Sequence, residues 1–275
     1  GGGEKFAGEA LFRGMVWAAT LSVRGGFRMV LRQTYRAERG RSVVPVEDWA
    51  LAASSGEIYY LWYFVQGSIM NPDVRLALRN AWGFCERHAW IAIQVEVALR
   101  QGYMMGPAIL YEDLLERSAA LFELGGPLKR WQLIKRLRGK GLCLMCEMNL
   151  GPETQGFARK DLMSKGRNPT ALRKLSDVGR SYWEETVCGR CSGGGSWRRC
   201  RRHLIEDLTQ GEWDDLDRHA TFVRDVSERV ARYSRSFEWG CRDTATDEDR
   251  ASLISAVGWC SGWRPFLSMI GMGRR

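Results

Sequence analysis

Cysteine and histidine side chains are concentrated in four short pairs along this 275-residue chain. Two residues separate the members of each pair, which are Cys85 and His88, Cys143 and Cys146, Cys188 and Cys191, and Cys200 and His203. A gap of two residues lets both side chains reach one tetrahedral cation, and thiolate with imidazole is a ligand set that zinc prefers. The spacing therefore predicts a structural zinc site.

Two combinations of these pairs satisfy the spacing of a four-ligand site. The favoured set consists of Cys143, Cys146, Cys200 and His203, with Cys188 or Cys191 as alternates for one ligand. The rival set is a compact knuckle formed by Cys188, Cys191, Cys200 and His203. The knuckle would leave Cys143 and Cys146 as a redox dithiol or as ligands of a second metal. Either set predicts about one zinc per chain.

The pair formed by Cys85 and His88 lacks a CxxC partner in the first half of the chain. Further ligands such as Glu47 or Asp48 would create an incomplete site with an open position, which is typical of catalytic zinc. We expect instead a remnant, in which Cys85 lacks a full tetrahedral site and apolar packing holds the surrounding helices.

Five arginines flank the ligands of the second half with no acidic residue between them: Arg190, Arg198, Arg199, Arg201 and Arg202. Since three thiolates and a neutral imidazole leave a zinc site net negative, these cations are expected to compensate its charge. The alternative is a phosphate-binding patch, which the net charge of +9 also permits. Trp197 in the same loop is expected to cover the site.

Aromatic residues are dense between positions 59 and 64, and the chain carries twelve tryptophans. Rings at helical spacing favour core packing, but Tyr60, Trp62 and Trp90 would suit the lining of a ligand pocket. Glu112 and Asp113 could supply a general base if such a pocket opened. A solvated or salt-bridged helix face is the simpler expectation for these two acids.

Apolar residues recur at helical spacing through most of the chain, and alternating β-branched runs are lacking beyond the weak hint at Val43 and Val44. Asn71-Pro72 and Asn168-Pro169 are typical helix starts. The remaining predicted helices cover residues 6–36, 46–65, 86–100, 107–124, 128–138, 212–237 and 244–263. The pattern predicts an all-α fold with almost no sheet.

The two Asn-Pro helices suggest an internal repeat, because each leads towards a CxxH pair. We predict an N-terminal helical extension at 1–45, a first repeat at 46–140 with a degenerate metal site, and a second at 141–275 with the zinc. The order CxxC, Asn-Pro and CxxH, with the segments 71–73, 83–88 and 108–115, resembles a family of bacterial proteins of unassigned function. The resemblance covers about residues 46–265 and implies a helical, metal-bearing fold without indicating an activity. The family's first CxxC is missing here, and the pair at 188–191 is an insertion.

Composition describes a globular protein, with 45% hydrophobic and 27% charged residues. No apolar run approaches the ~18 residues of a membrane span, and arginines interrupt the N-terminal apolar stretch, so neither a membrane anchor nor a signal peptide is expected. Cysteines in metal-type pairs favour a reducing cytoplasm over disulfides.

Two hypotheses for the function follow. The first is a zinc-structured binding or regulatory module for nucleic acid or another anionic partner. The second is a small-molecule enzyme or ligand-binding protein with a site between the repeats, near Cys85 and His88. Motifs of the P-loop, GxGxxG and HExxH types are absent, so the sequence assigns no reaction.

Overall fold

A computed structural model describes residues 52–100, 103–212 and 215–272. Within these ranges the regular structure consists of α-helices and short 3-10 helices without a strand, so the predicted all-α fold is confirmed. The predicted N-terminal extension, Val43, Val44, Glu47 and Asp48 lie outside the described residues.

The helices of the first half are α1 (Ser55–Gln66), α2 (Pro72–Ala81), α3 (Glu86–Leu99), α4 (Met105–Phe122), α5 (Lys129–Leu137) and the single turn α6 (Leu144–Glu147). Those of the second half are α7 (Lys160–Arg167), α8 (Thr170–Val178), α9 (Arg180–Trp183), α10 (Gly189–Ser192), α11 (Arg201–Gln210), α12 (Leu216–Arg235), α13 (Asp247–Ser261) and α14 (Arg264–Met269). Short 3-10 helices cover Ser68–Met70, Glu184–Thr186 and Trp239–Cys241.

Side-chain caps fix several helix starts. The Asn71 side chain accepts hydrogen bonds from the backbone N–H groups of Asp73 and Val74, and Pro72 occupies the first helical position of α2. Ser54 and Thr246 begin α1 and α13 with reciprocal capping boxes. These caps satisfy N–H groups that have no partner inside the helix, which explains why the sequence located α2 and α13 well.

The centre of the protein is formed by α4, α12 and α13, which pack against one another. Residues 251–261 of α13 are all buried, so this part of the helix is enclosed on every side. Close packing at its end requires glycine at Gly258, because a Cβ there would lie 2.1 Å from the buried ring of Trp263.

A second group of helices surrounds α3, which packs against α1, α7, α8 and α14. The Trp90 ring stacks on Phe266 with 4.4 Å between centroids, and its Nε1 donates a hydrogen bond to the carbonyl oxygen of Gly262. Tyr60 is also buried, whereas Trp62 is half-buried. The structure thus places Tyr60 and Trp90 in the hydrophobic core.

Among the described helices, none combines the length and the apolar character that crossing a membrane requires.

Candidate metal centres

Each Cys/His pair lies at the start of a helix. Cys85 is the N-cap of α3 and Cys143 is the N-cap of the single turn α6. The second member of each pair, His88 or Cys146, follows three positions later in the first turn. Residues at these two positions project towards the same open helix end, and the backbone N–H of Cys146 donates to Cys143 Sγ at 3.4 Å.

The two helix starts meet and form what we call site 1, which contains Cys85, His88, Cys143 and Cys146. His88 Nδ1 lies 3.2 Å from Cys85 Sγ, 3.3 Å from Cys143 Sγ and 3.4 Å from Cys146 Sγ. Cys146 Sγ lies 3.2 Å from Cys143 Sγ and 3.7 Å from Cys85 Sγ.

These distances suit one shared cation. Two sulfurs bound tetrahedrally at about 2.3 Å from zinc lie about 3.8 Å apart, and a sulfur and an imidazole nitrogen lie about 3.5 Å apart. The ligand atoms of site 1 all lie within 4.8 Å of one another and nearly match those edges. The geometry is therefore that of a four-ligand metal cage.

A buried carboxylate orients the histidine of site 1. Glu57, on α1, is fully buried and its Oε1 lies 3.1 Å from His88 Nε2. Glu57 also accepts hydrogen bonds from Arg87 Nε at 3.2 Å and Nη2 at 2.9 Å, and from the backbone N–H of Ser54 at 2.8 Å. A carboxylate that accepts a hydrogen bond from His88 Nε2–H keeps the proton on Nε2 and directs Nδ1 at the sulfurs, as in many zinc-binding histidines.

Site 2 is built from Cys188, Cys191, Cys200 and His203. Cys188 is the N-cap of α10 and Cys200 is the N-cap of α11, so the helix-start arrangement of site 1 recurs. His203 Nδ1 lies 3.2 Å from Cys188 Sγ, 3.4 Å from Cys191 Sγ and 3.3 Å from Cys200 Sγ. Cys191 and Cys200 sulfurs are 3.8 Å apart. All four residues are buried, whereas Cys85 and Cys146 of site 1 are half-buried.

One cysteine in each site has a lowered pKa. Hydrogen bonds with Cys146 and Cys85 lower the pKa of Cys143, and hydrogen bonds with Cys191 and Cys200 lower the pKa of Cys188. Each cage therefore favours a thiolate at the first cysteine of its CxxC pair. Thiolates are the form in which cysteine binds metal, and nearby thiolates favour a cation between them.

The pKa of Glu57 reflects its role beside site 1. Burial raises this pKa, but hydrogen bonds from His88 and Arg87 outweigh burial and hold it at about 2. Glu57 is therefore a carboxylate at any pH near neutrality and accepts from His88 throughout.

The four residues of the favoured zinc set lie in two different sites. The structure places Cys143 and Cys146 beside Cys85 and His88, while Cys200 and His203 join the alternates Cys188 and Cys191. The rival knuckle is thus the arrangement seen in site 2, and the expected remnant at Cys85 is replaced by a complete set of four. A signal for this existed in the sequence, because two CxxC and two CxxH pairs make two complete sets of ligands.

The five arginines near site 2 all contact other groups of the protein. Three of them form ion pairs with two acidic residues of α11. Asp207 pairs with Arg190 and, at 2.6 Å, with Arg199. Arg202 pairs with Glu206 at 3.0 Å.

The other two arginines contact rings and backbone oxygens. Arg201 donates to the carbonyl oxygens of Cys260 and Leu137, and Arg198 lies over the Trp197 ring with 5.1 Å to its centroid. Trp197 itself packs edge-on against Phe222, beside α12. Asp207 and Glu206 therefore balance three of the five arginines that the alternative phosphate-binding patch would use, namely Arg190, Arg199 and Arg202.

The remaining catalytic candidates lie on α4. Asp113 forms an ion pair with Arg79 at 3.3 Å, and Glu112 is half-buried. Neither belongs to the two clusters of possible metal ligands found in the described part of the chain. Cys85 and His88 thus lie inside a four-ligand cage, and Tyr60 and Trp90 lie in the hydrophobic core.

A different surface concentrates positive charge, and we call it the basic groove. It is a concave surface of about 580 Å³ lined by Arg79, Glu116, Arg117, Ala120, Leu121, Lys135, Arg136 and Lys140. Five cations thus face one lining acid, and spacing along the sequence does not reveal them because they come from three separate helices and a loop.

Comparison with known proteins provides no functional assignment for these sites: no protein-family model, no curated protein and no solved structure matches the chain. The resemblance to a helical bacterial family stays a prediction.

Proposed function

We propose that the protein is a helical binding module, structured by two zinc ions, that recognises an anionic partner through the basic groove. The observation that carries the zinc assignment is the recurrence of one geometry: each site brings three sulfurs and one imidazole nitrogen within 4.8 Å. A Cys₃His set with four protein ligands leaves no open position for substrate, so both ions have a structural role.

Metal analysis of protein purified under reducing conditions tests this assignment. We expect about two zinc ions per chain. Cys146→Ser and Cys191→Ser should each reduce the content to about one. Cys241 lies outside both clusters, so Cys241→Ser is the matched control and should retain two. A chain that carries two zinc ions after either site substitution would refute the ligand assignment.

The state of the cysteines supports a reducing cellular location. None of the eight cysteines, all of which lie in the described residues, forms a disulfide, and six of them belong to the two sites. Disulfide formation would remove metal ligands, and such thiols persist in the cytoplasm. We therefore place the protein in the cytoplasm.

The anionic partner is inferred from the charge of the basic groove. Its cations come from α2, α4, α5 and the loop after α5, and the ion pair with Asp113 engages Arg79 among them. Clustered Lys and Arg on one concave face are the electrostatic footprint of a polyanion-binding surface.

Heparin chromatography tests this part of the proposal. Reversing two groove charges in the double variant Lys135→Glu/Lys140→Glu should lower the salt concentration at which the protein elutes. The double variant Lys165→Glu/Lys174→Glu carries the same net charge, but these exposed lysines do not line the groove. Equal elution of the two variants would show that net charge alone governs retention and would refute the groove.

A further inference from the structure

The basic groove is held in shape by hydrogen bonds between its walls. Lys140 N–H donates to the carbonyl oxygen of Asn80 at 2.8 Å, which joins the loop after α5 to the end of α2. Arg117 Nη1 donates to the carbonyl oxygen of Arg79 at 2.7 Å, which joins α4 to α2. Trp82 Nε1 donates to the carbonyl oxygen of Arg136 at 3.1 Å. The Arg117 guanidinium is thereby fixed on the wall of the groove, which lowers the entropic cost of binding an anion there.

The charges inside the groove are incompletely balanced. Arg117 lies over the Trp82 ring with 4.3 Å to its centroid, and its Nη1 donates to the backbone carbonyl oxygen of Arg79. Burial and the proximity of Arg79 lower the pKa of Arg117, although Asp113 opposes them. An anion placed between these guanidinium groups would relieve their repulsion, and phosphate suits two adjacent forks.

An exposed tryptophan lies at the lysine side of the groove. Trp131, on α5, has 56% of its surface exposed although tryptophan usually lies in the interior. Lys135 lines the groove and its Nζ lies 4.7 Å from the centroid of the Trp131 ring. Lys135 thus contacts the Trp131 ring and also lines the basic groove.

We propose that the basic groove binds the sugar-phosphate backbone of single-stranded nucleic acid while a base stacks on Trp131. This inference rests on the proposed function, since it names the chemistry of the anionic partner. A positively charged groove combined with an aromatic platform is how proteins bind single strands without sequence preference. A duplex keeps its bases stacked inside, so it can satisfy the cations but offers no base to the indole.

Fluorescence anisotropy with labelled 12-nucleotide oligothymidylate and oligouridylate tests the inference on the zinc-loaded protein. We expect either strand to bind more tightly than a duplex of equal length, with affinity that falls as salt rises. Trp131→Ala should lower single-strand affinity about 5- to 100-fold, while Trp131→Phe retains most of it. Trp239 is 83% exposed and lies under Arg242, so Trp239→Ala is the matched control and should change nothing.

The heparin experiment distinguishes failure of the nucleic-acid inference from failure of anion binding by the basic groove. If Trp131→Ala leaves single-strand affinity unchanged, or if a duplex or a polyglutamate peptide binds more tightly, the nucleic-acid inference is refuted while the groove stands. If groove charge reversal changes neither heparin elution nor oligonucleotide affinity, the anion-binding function itself fails. Retention of two zinc ions by every variant excludes loss of the fold as the cause.

Discussion

The buried carboxylate of Glu57 supports His88 in site 1, and Glu57→Ala tests that role. The substitution removes the acceptor of His88 Nε2 and of two hydrogen bonds from Arg87. It also removes the acidic half of the capping box with Ser54. We expect the variant to lose global stability and to bind zinc more weakly at site 1 only.

The size of the effect follows from burial. Glu57 is fully buried and the Arg87 side chain is only 11% exposed. When Glu57 is removed, little water can therefore reach the Arg87 guanidinium and replace the lost carboxylate. Removing one member of a buried ion pair costs about 3–5 kcal/mol of unfolding free energy. Arg87 also donates to the carbonyl oxygen of Ala52 at 3.2 Å, which favours the lower part of that range. Loss of a carboxylate behind a zinc-bound histidine weakens metal affinity about 10- to 100-fold.

Zinc release to a colorimetric chelator, followed alongside urea unfolding, measures both quantities. The wild-type protein should release zinc in two phases, and Glu57→Ala should accelerate one phase without affecting the other. Glu206 provides the control, because its Oε2 lies 4.0 Å from His203 Nε2 and the side chain is partly exposed. Glu206→Ala should cost less than about 1 kcal/mol.

Unchanged release in both phases for Glu57→Ala, with stability within about 1 kcal/mol of wild type, would refute the argument. It would mean that Glu57 is not required to orient His88. Acceleration of both phases together would mean that the two sites do not lose metal independently.

Two further predictions concern the core. Burial raises the pKa of Glu96 to about 8 despite the attraction of Arg100. The contribution of this group to stability should therefore be greatest below about pH 4.5, where the carboxyl is protonated in both the folded and the unfolded chain. The free energy of unfolding should fall by about 3–5 kcal/mol as pH rises through 8. Glu96→Gln should flatten that dependence in urea unfolding at pH 5 and pH 9, and an unchanged slope would contradict it. Gly258→Ala should lower stability by more than about 2 kcal/mol, because the new methyl group collides with Trp263. A thermal midpoint equal to that of wild type would show that the ring moves aside freely.

Local signals in the sequence located most helices. The caps at Asn71 and Thr246 predict the starts of α2 and α13 because the capping groups are encoded within three residues of each start. The helix predicted at 107–124 is observed at Met105–Phe122, and that at 128–138 is observed at Lys129–Leu137. Differences of one or two residues at the ends are expected, since the last turn of a helix has no strong local determinant.

The pairing of metal ligands could not be predicted from local signals. Spacing within a CxxC or CxxH pair is local, but the choice between pairs depends on which helices dock. The hydrogen bonds from Lys140 to Asn80 and from Trp82 to Arg136 place the loop after α5 against the end of α2. That docking delivers Cys143 to Cys85, and it arises from tertiary contacts that the spacing does not encode.

The two cages differ in how much chain they close, and this difference has a consequence for folding. Site 2 joins Cys191 to Cys200, nine positions apart, whereas site 1 joins His88 to Cys143, 55 positions apart. Closing the longer loop costs about 1.6 kcal/mol more in chain entropy. We therefore expect site 2 to close earlier than site 1 during folding. Site 1 requires the loop after α5 to reach the end of α2, so a metal ion bound there would tie together two walls of the basic groove.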